Sequence, residues 1–341
     1  MKRIKIAQIG TGHDHAFSPI PTFKKLSDIF EFVGYCTVPE DEYNIPQFGN
    51  QAHKWAIGDA KQLTLDEILN YPDLDAVCIE TEDRALTKYA IMAAEKGLHI
   101  QMDKPGGIDD AEFDRLIDIV EKKKLVFHMA YMYRYNPAVI KLKEDIKAGK
   151  LGDIIATEGE MDCRHALPKR NWLKAYPGGM LYFLGCHMVD LVYSIMGDPE
   201  EIIPLSCSSG LEGTDAKDFG MAVFKYKNGV SVAKSTAVED GGYERRHLLV
   251  VGTKGTVELR PIETGAESTE IFNAQKTTVR ENFSEAFTSK AECYETEVFG
   301  RFDGMFRAFA DYINGVRSNP YTYEYERKLH KVLLKACGEK V

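Results

Sequence analysis

The sequence predicts an α/β chain in two parts: an N-terminal doubly wound parallel sheet, then an α+β part built on a large, mostly antiparallel open sheet. Three observations predict it. Through the first third, short apolar runs alternate with helical patterns, as βαβ units require. After about residue 131, strand-like runs follow one another at short spacing with turn residues between them. The 341 residues suit two domains of ~150 residues each. The division expected is 1–131 and 132–341, with the terminal helix able to pack back on the first part.

Taken in order, Ile4–Ile9, Phe32–Cys36, Ala76–Ile79, His99–Met102 and Leu125–Met129 read as strands. They are apolar nearly throughout, as strands covered on both faces are. Thr64 and Glu67 make a capping box, and Leu86–Lys96 stops at Gly97, a helix-ending glycine. Asp109 and Glu112 open a helix whose apolar positions Phe113, Leu116, Ile117 and Val120 keep helical spacing. In the second part a helix over Asn136–Ala148 precedes a strand at Ile154–Met161, and another helix covers Gly185–Met196. The runs Ile202–Ser208, Phe219–Tyr226, Val230–Ala237, Arg246–Val251 and Thr256–Leu259 supply the open sheet, with Asn228-Gly229 as a hairpin turn. Met305–Val316 and Tyr325–Cys337 are helical, and no internal repeat is present.

Net charge is −9, and no basic block extends beyond Lys122-Lys123-Lys124, so a nucleic-acid surface is not expected. MKRIKIAQIG runs straight into a strand without the apolar core of a signal peptide. No stretch approaches the ~18 apolar residues of a membrane span. The seven cysteines are scattered and free of C-x-x-C spacing. A cytoplasmic chain with reduced thiols is expected.

In a doubly wound sheet, ligands bind outside the carboxyl ends of the strands. The first such end carries Gly10-Thr11-Gly12-His13-Asp14-His15, which matches G-x-G-x-x-G with His at the third glycine. The first glycine allows the tight turn, and the second lets the backbone approach a pyrophosphate. Pro19 and Pro21 exclude a normal helix interior, so the helix is expected to start late, near Pro19. His13-x-His15 has the form of half a metal site. Zinc needs three or four ligands, and no nearby Cys, His or carboxylate set completes it, so no metal is expected. Glu40, Asp41 and Glu42 follow the second strand, and no Arg or Lys lies between Lys25 and Lys54. An NADP site needs a cation for its 2′-phosphate, so NAD is expected over NADP, although Thr37 stands where an acid for the ribose is usual.

Met102-Asp103-Lys104-Pro105-Gly106-Gly107 at the end of the fourth strand is similar to the Glu-Lys-Pro signature of the glucose–fructose oxidoreductase/inositol dehydrogenase (Gfo/Idh/MocA) family. Four further segments resemble that family in order and spacing: Arg134-Tyr135-Asn136-Pro137 with Gly149-Lys150-Leu151-Gly152, Gly178-Gly179, Gly185-Cys186-His187-Met188-Val189-Asp190, and Val251-Gly252-Thr253-Lys254-Gly255-Thr256. The resemblance implies an N-terminal Rossmann domain and a C-terminal sheet that often forms an oligomer interface. It implies hydride transfer between nicotinamide and a hydroxyl-bearing carbon of a sugar, polyol or related compound. It makes Lys104 the active-site lysine, with a cis Lys104-Pro105 bond as in many relatives, and His187 the proton-transferring histidine. Cofactor contacts are expected from Gly10, Thr11, Gly12, His13, Thr37, Thr81, Asp103, Lys104 and Pro105.

The chemistry suits these roles. Imidazole, with a reference pKa of ~6.5, serves as a base at neutral pH, and an ammonium beside the same oxygen stabilises a developing alkoxide. Substrate contacts are expected from Tyr133, Arg164, His165, Trp172, Phe183 and Asp190. The basic, aromatic stretch Arg164–Tyr176 reads either as a site for an anionic substrate or as a solvated loop. Asp190, one turn beyond His187, either orients the imidazole or pairs locally. Phe183 replaces the aspartate of many relatives. At helical spacing it would share a face with His187 and favour a substrate with an apolar or deoxy carbon there, or it turns into the core and never meets substrate. Two other functions stay open: a redox-neutral, NAD-using glycoside-cleaving or eliminating enzyme, and a non-catalytic NAD-binding protein.

Overall fold

The computed structural model describes residues 2–43, 55–263, 274–279, 290–296 and 299–341, with 274–279 and 290–295 as backbone. The chain forms two compact units: Met1–Tyr131 with Phe302–Lys331, and Met132–Arg301 with Val332–Val341.

The first unit is built on strands β1 (Ile4–Ile9), β2 (Phe30–Cys36), β3 (Ala76–Ile79), β4 (His99–Met102) and β5 (Phe127–Met129). They lie in the order β2-β1-β3-β4-β5, every pair parallel. The order reverses between β1 and β3, so the ligand crevice of this topology opens at their carboxyl ends. The sequence punctuation holds. Thr64 and Glu67 close a capping box, with the Glu67 amide donating to Thr64 Oγ1 at 3.2 Å. Asp109 caps the helix Asp110–Lys122 through the Glu112 amide at 3.0 Å. The first helix does begin late, at Pro19, and runs only to Lys25. The helix Asp303–Ile313 lies in this unit too, its Phe306 edge-on to Phe23.

The second unit carries an eight-stranded sheet. Its strands are β6 (Ile154–Glu160), β7 (Glu201–Pro204), β8 (Phe219–Tyr226), β9 (Gly229–Thr236), β10 (His247–Gly252), β11 (Gly255–Leu259), β12 (Ala274–Val279) and β13 (Lys290–Glu295). The order is β13-β12-β11-β10-β6-β9-β8-β7. All neighbours are antiparallel except β6 and β9. The sequence pattern missed β12 and β13, which are rich in Lys, Thr and Glu and lack clean alternation. It also read Arg164–Tyr176 as loop, whereas Leu167–Trp172 is a short helix with Pro168 in its first turn. The β8–β9 hairpin is present, but Lys227-Asn228 form its turn and Gly229 pairs with Tyr226. Gly229 is required for another reason: a Cβ there would collide with the Ile155 carbonyl of β6.

Candidate functional site

At the crest of the first unit, β1 runs into Gly10, whose φ is +94°. A Cβ on Gly10 would sit 2.5 Å from the Thr81 amide nitrogen, and one on Gly12 would sit 2.8 Å from Asp41 Cα. Both glycines therefore let the loop lie flat on the ends of its neighbours, leaving a cradle that side chains would fill. The Asp41 carboxylate closes one side, accepting from the Thr11 amide at 2.8 Å and the Val38 amide at 2.9 Å. Burial pushes its pKa up to about 6 against the opposing pull of the Val38, Thr11, Glu82 and Gly12 amides. Thr37, the residue at the strand end proper, is exposed. Glu40 is held by Lys88 Nζ at 2.6 Å and the Tyr89 hydroxyl at 2.7 Å.

Behind the loop the crest is acidic. Glu80, Thr81, Glu82 and Asp83 follow β3, Asp103 follows β4, and all five are at most 2% exposed. His13 Nδ1 lies 3.0 Å from Asp103 Oδ2, and His15 Nδ1 lies 3.2 Å from the same oxygen. Burial works against the charged form of His13, but Asp103 and Asp83 outweigh it and raise its pKa well above the usual value. Burial likewise opposes ionisation of Asp103, and the two imidazoles reverse it and hold that carboxyl low. Glu80 is pushed the other way, upward, by burial and by the neighbouring Asp103. The expectation that nothing completes the His13-x-His15 pair is thus corrected. Residues distant in sequence, Asp103 and Glu80, reach it because β3 and β4 end beside β1.

Lys104 is 1% exposed. Its amide donates to Asp103 Oδ1 at 2.7 Å, its carbonyl faces His13 Nε2 at 3.1 Å, and the Lys104-Pro105 bond is cis. The following glycines are tied down as well: Thr87 Oγ1 donates to the Gly106 carbonyl at 2.6 Å, and His330 Nε2 lies 3.1 Å from the Gly107 carbonyl. Thr87 and His330 stand on helices, which fixes the backbone that follows the lysine.

In the second unit, His187 opens the helix Cys186–Met196 and is 1% exposed. The Tyr133 ring meets its imidazole edge-on at 5.2 Å between centroids. Burial, reinforced by Glu263, raises the Tyr133 phenol well above its usual pKa, so it stays a neutral hydroxyl. Glu263 also accepts from Arg246 Nη1 at 2.6 Å and Arg301 Nη2 at 3.1 Å. A second group gathers around Phe183: Trp172 packs edge-on at 4.9 Å, His165 lies at 6.4 Å, and Lys169 Nζ stands 4.3 Å from the Phe183 centroid and 4.0 Å from that of Trp172.

Two family models match the chain: the NAD-binding Rossmann fold of the oxidoreductase family over residues 21–131, and the GFO/IDH/MocA C-terminal domain over residues 139–258. The chain belongs to the GFO/IDH/MocA family. Among curated relatives, an uncharacterized oxidoreductase of Rhizobium meliloti, ORF334, is 26% identical over 57% of this chain and 58% of its own length. The matched part of the chain thus spans little more than half of that relative. A D-xylose 1-dehydrogenase (NADP(+)) of Haloferax volcanii is 25% identical over 75% of this chain and 78% of its own. Among solved structures, a levoglucosan dehydrogenase in complex with NADH superimposes with a TM-score of 0.78 at 16% identity, covering 99% of this chain and 97% of the other.

Within that family fold, some expected site residues take other partners. Asp190 pairs with Arg134. Its carboxylate is bound by Arg134 through Nε at 3.0 and 3.1 Å and through Nη2 at 2.8 Å, with both side chains buried. Phe183 ends the short helix Met180–Phe183, and His187 belongs to the next one. The Gly185 amide reaches back five residues to the Met180 carbonyl at 3.1 Å, which breaks the helix and voids the four-residue spacing argument. Arg164 is exposed, 3.1 Å from the Val238 carbonyl and 3.6 Å from Asp240. Sequence reasoning passed over Asp41 as a loop contact and Glu80 as a partner of the histidines. Both depend on which strands become neighbours. Among the described residues, no helix is long and apolar enough to cross a membrane.

Proposed function

We propose that this chain is an NAD-dependent oxidoreductase that transfers hydride between nicotinamide and a hydroxyl-bearing carbon of a sugar, polyol or sugar acid. The observation that carries this reading is a lysine kept 99% from solvent at the carboxyl end of β4, its backbone pinned on both sides. Burying an ammonium is costly, and a strand end of a doubly wound sheet is where ligands bind.

Gly10, Thr11, Gly12, His13, Thr37, Thr81, Asp103, Lys104 and Pro105 would hold the dinucleotide, which supplies the hydride acceptor or donor. Lys104 stabilises the developing alkoxide, and His187 takes the hydroxyl proton during oxidation and returns it during reduction. Tyr133, neutral and packed on His187, fixes the imidazole plane and excludes water. Trp172, Phe183 and His165 would line the substrate with apolar and weakly basic surface. The buried Asp41 carboxylate at the loop supports NAD, since it would repel a 2′-phosphate. A homo-oligomer is proposed through the open sheet, where Met221, Val223, Val232, Leu249 and Val251 are apolar and only half-buried.

The test is turnover with NAD over a panel of sugars, polyols and sugar acids, followed in the NADH absorbance band. The reading expects net NADH with at least one member. NAD binding without turnover on any member would replace it with the cofactor-sensing reading. Product formation without net NADH would favour the redox-neutral one. Sedimentation of the full chain checks the oligomer.

A further inference from the structure

The four donors that meet behind the glycine loop have no part in hydride transfer, and their geometry poses a charge problem. His13 Nε2 faces the Lys104 carbonyl at 3.1 Å. A carbonyl only accepts, so the ring hydrogen belongs on Nε2. The other nitrogen, Nδ1, takes the His15 backbone N–H at 3.1 Å, which marks it as carrying a lone pair. Yet Asp103 Oδ2 stands 3.0 Å from that same Nδ1. His15 Nδ1 approaches the same oxygen at 3.2 Å. Glu80 Oε2 is buried and lies 3.8 Å from His13 Nδ1, with the Asp103 carboxylate as its neighbour. Its sister oxygen, Oε1, is taken by Cys78 Sγ at 3.3 Å. The ligand atoms of His13, His15 and Asp103 thus all come within 4.8 Å of one another, with Glu80 beside them, and this buried cluster favours positive charge, which draws a proton to His13 when no ion is bound.

We propose that His13, His15, Asp103 and Glu80 form a binding site for one divalent first-row transition metal ion. The donor set, two imidazoles and two carboxylates, is one that zinc and its neighbours accept. The His13–Asp103 and His15–Asp103 separations of 3.0 and 3.2 Å lie close to roughly 3.3 Å, the edge of a tetrahedron with bonds of about 2.0–2.1 Å, and Glu80 stands 3.8 Å from His13. Ligating histidines characteristically donate their second ring N–H to a carbonyl or carboxylate. His13 does so to Lys104, with Asp83 Oδ1 a further 3.5 Å from Nε2. Three of the donors are at most 2% exposed, whereas His15 keeps 21% of its side chain in solvent and gives the ion a way in. The ion would cross-link the β1 loop to the ends of β3 and β4. Through Asp103 Oδ1 on the Lys104 amide and His13 on its carbonyl, it would also fix the backbone of Lys104. Its role is positioning, one shell behind the lysine.

The test uses the full chain, stripped with a chelator and titrated with Co²⁺ alone, read by visible absorption and by metal analysis after gel filtration. One equivalent per chain, with d–d bands of a four-coordinate nitrogen/oxygen site, is expected. His15→Ala and Glu80→Gln should each weaken Co²⁺ binding by roughly 10²-fold or more, since even outer-shell losses cost 10–100-fold. Circular dichroism confirms the fold of each variant, and His15, being part-exposed, is the one expected to tolerate truncation. An ion bound at one equivalent should also raise the melting temperature of the native chain and not that of His15→Ala. Failure to retain Co²⁺ at one equivalent, or retention undiminished in both variants, would overturn the site. NAD titration of the same samples is a separate readout, so loss of the metal site and loss of the oxidoreductase reading are told apart.

Discussion

The crest of the parallel sheet and the histidine helix of the second unit solve opposite electrostatic problems. The crest buries Asp41, Glu80, Glu82, Asp83 and Asp103 around a glycine loop, with His13 and Lys104 among them. The region around His187 and the open sheet buries Arg134, Lys169, Arg170 and Arg246, each beside an acid or an aromatic face. In the second unit, carboxylates close the arginines in buried pairs, Arg134 with Asp190, Arg170 with Asp218 and Arg246 with Glu263. In the first, carboxylates crowd one another, and burial pushes Asp41 and, with Asp103 beside it, Glu80 upward.

The comparison breaks first at His187. His187→Ala should lower turnover by ~10²–10⁴, the usual loss of general acid–base catalysis, while calorimetry shows unchanged NAD affinity. Near-normal turnover would remove the residue from the mechanism and leave the second unit with scaffold alone.

The paired charges come next. Arg134→Ala strands Asp190 without its partner, and breaking a buried pair costs about 3–5 kcal/mol. Urea unfolding should show that loss, whereas a double change to Met at Arg134 and Leu at Asp190 should recover most of it. Equal damage from the double variant would mean that Asp190 has a duty besides pairing.

The crowded charges give a smaller, selective effect. Asp41→Asn should narrow the preference for NAD over NADP by roughly tenfold, the scale of one unit charge in a partly buried site. Because Asp41 titrates near 6, the native preference should be full at pH 7.5 and shrink below pH 6 as the carboxyl gains its proton. The variant should show no such change. Calorimetric titration with both cofactors at the two pH values checks it; tighter binding of NADP by the native chain at pH 7.5 contradicts it.

Smallest is a pH effect on stability. Burial, with Glu160 and Glu239 beside it, holds Asp162 up to about 8, and Lys234 only partly offsets this. A raised carboxyl means that the folded chain binds the proton more tightly than the unfolded chain. The stability it contributes is full below the unfolded pKa of ~3.9 and is lost as pH rises toward 8. Glu160, held down to about 2, has the opposite sign but acts only below the ordinary carboxylate range. Between pH 5 and 8 the native chain should therefore lose more stability than Asp162→Asn, measured by denaturant midpoints.

How much was legible in the sequence follows from the same contrast. Elements set by local chemistry were readable: the strand β1 before Gly10, the capping box at Thr64, the late helix at Pro19 and the helix of His187 all lie where their residues put them. Pairings between distant segments were not. Nothing near His13 in sequence announces Asp103 or Glu80, because only the order β1-β3-β4 brings their strand ends together. Asp190, one turn from His187, read equally as its orienting partner or as a local pair, and nothing nearby announces Arg134, fifty-six residues earlier, which binds it. The spacing of Phe183 and His187 gave no sign of the helix break at Leu184-Gly185, which no proline signals. In the basic stretch, residue type could not say that Arg170 turns inward to Asp218 while Arg164 turns out to Asp240.

The central claim is hydride transfer from a substrate carbon to nicotinamide, with His187 taking the proton. The most direct measurement follows a sugar, polyol or sugar acid from the active panel, deuterated at the reacting carbon, with NAD and the native chain. Mass spectrometry of the cofactor reads the outcome. The account predicts reduced cofactor carrying the deuterium in proportion to product, and the same label, more slowly, with His187→Ala. Product that forms while the cofactor gains no deuterium, or with deuterium lost to solvent, would contradict it.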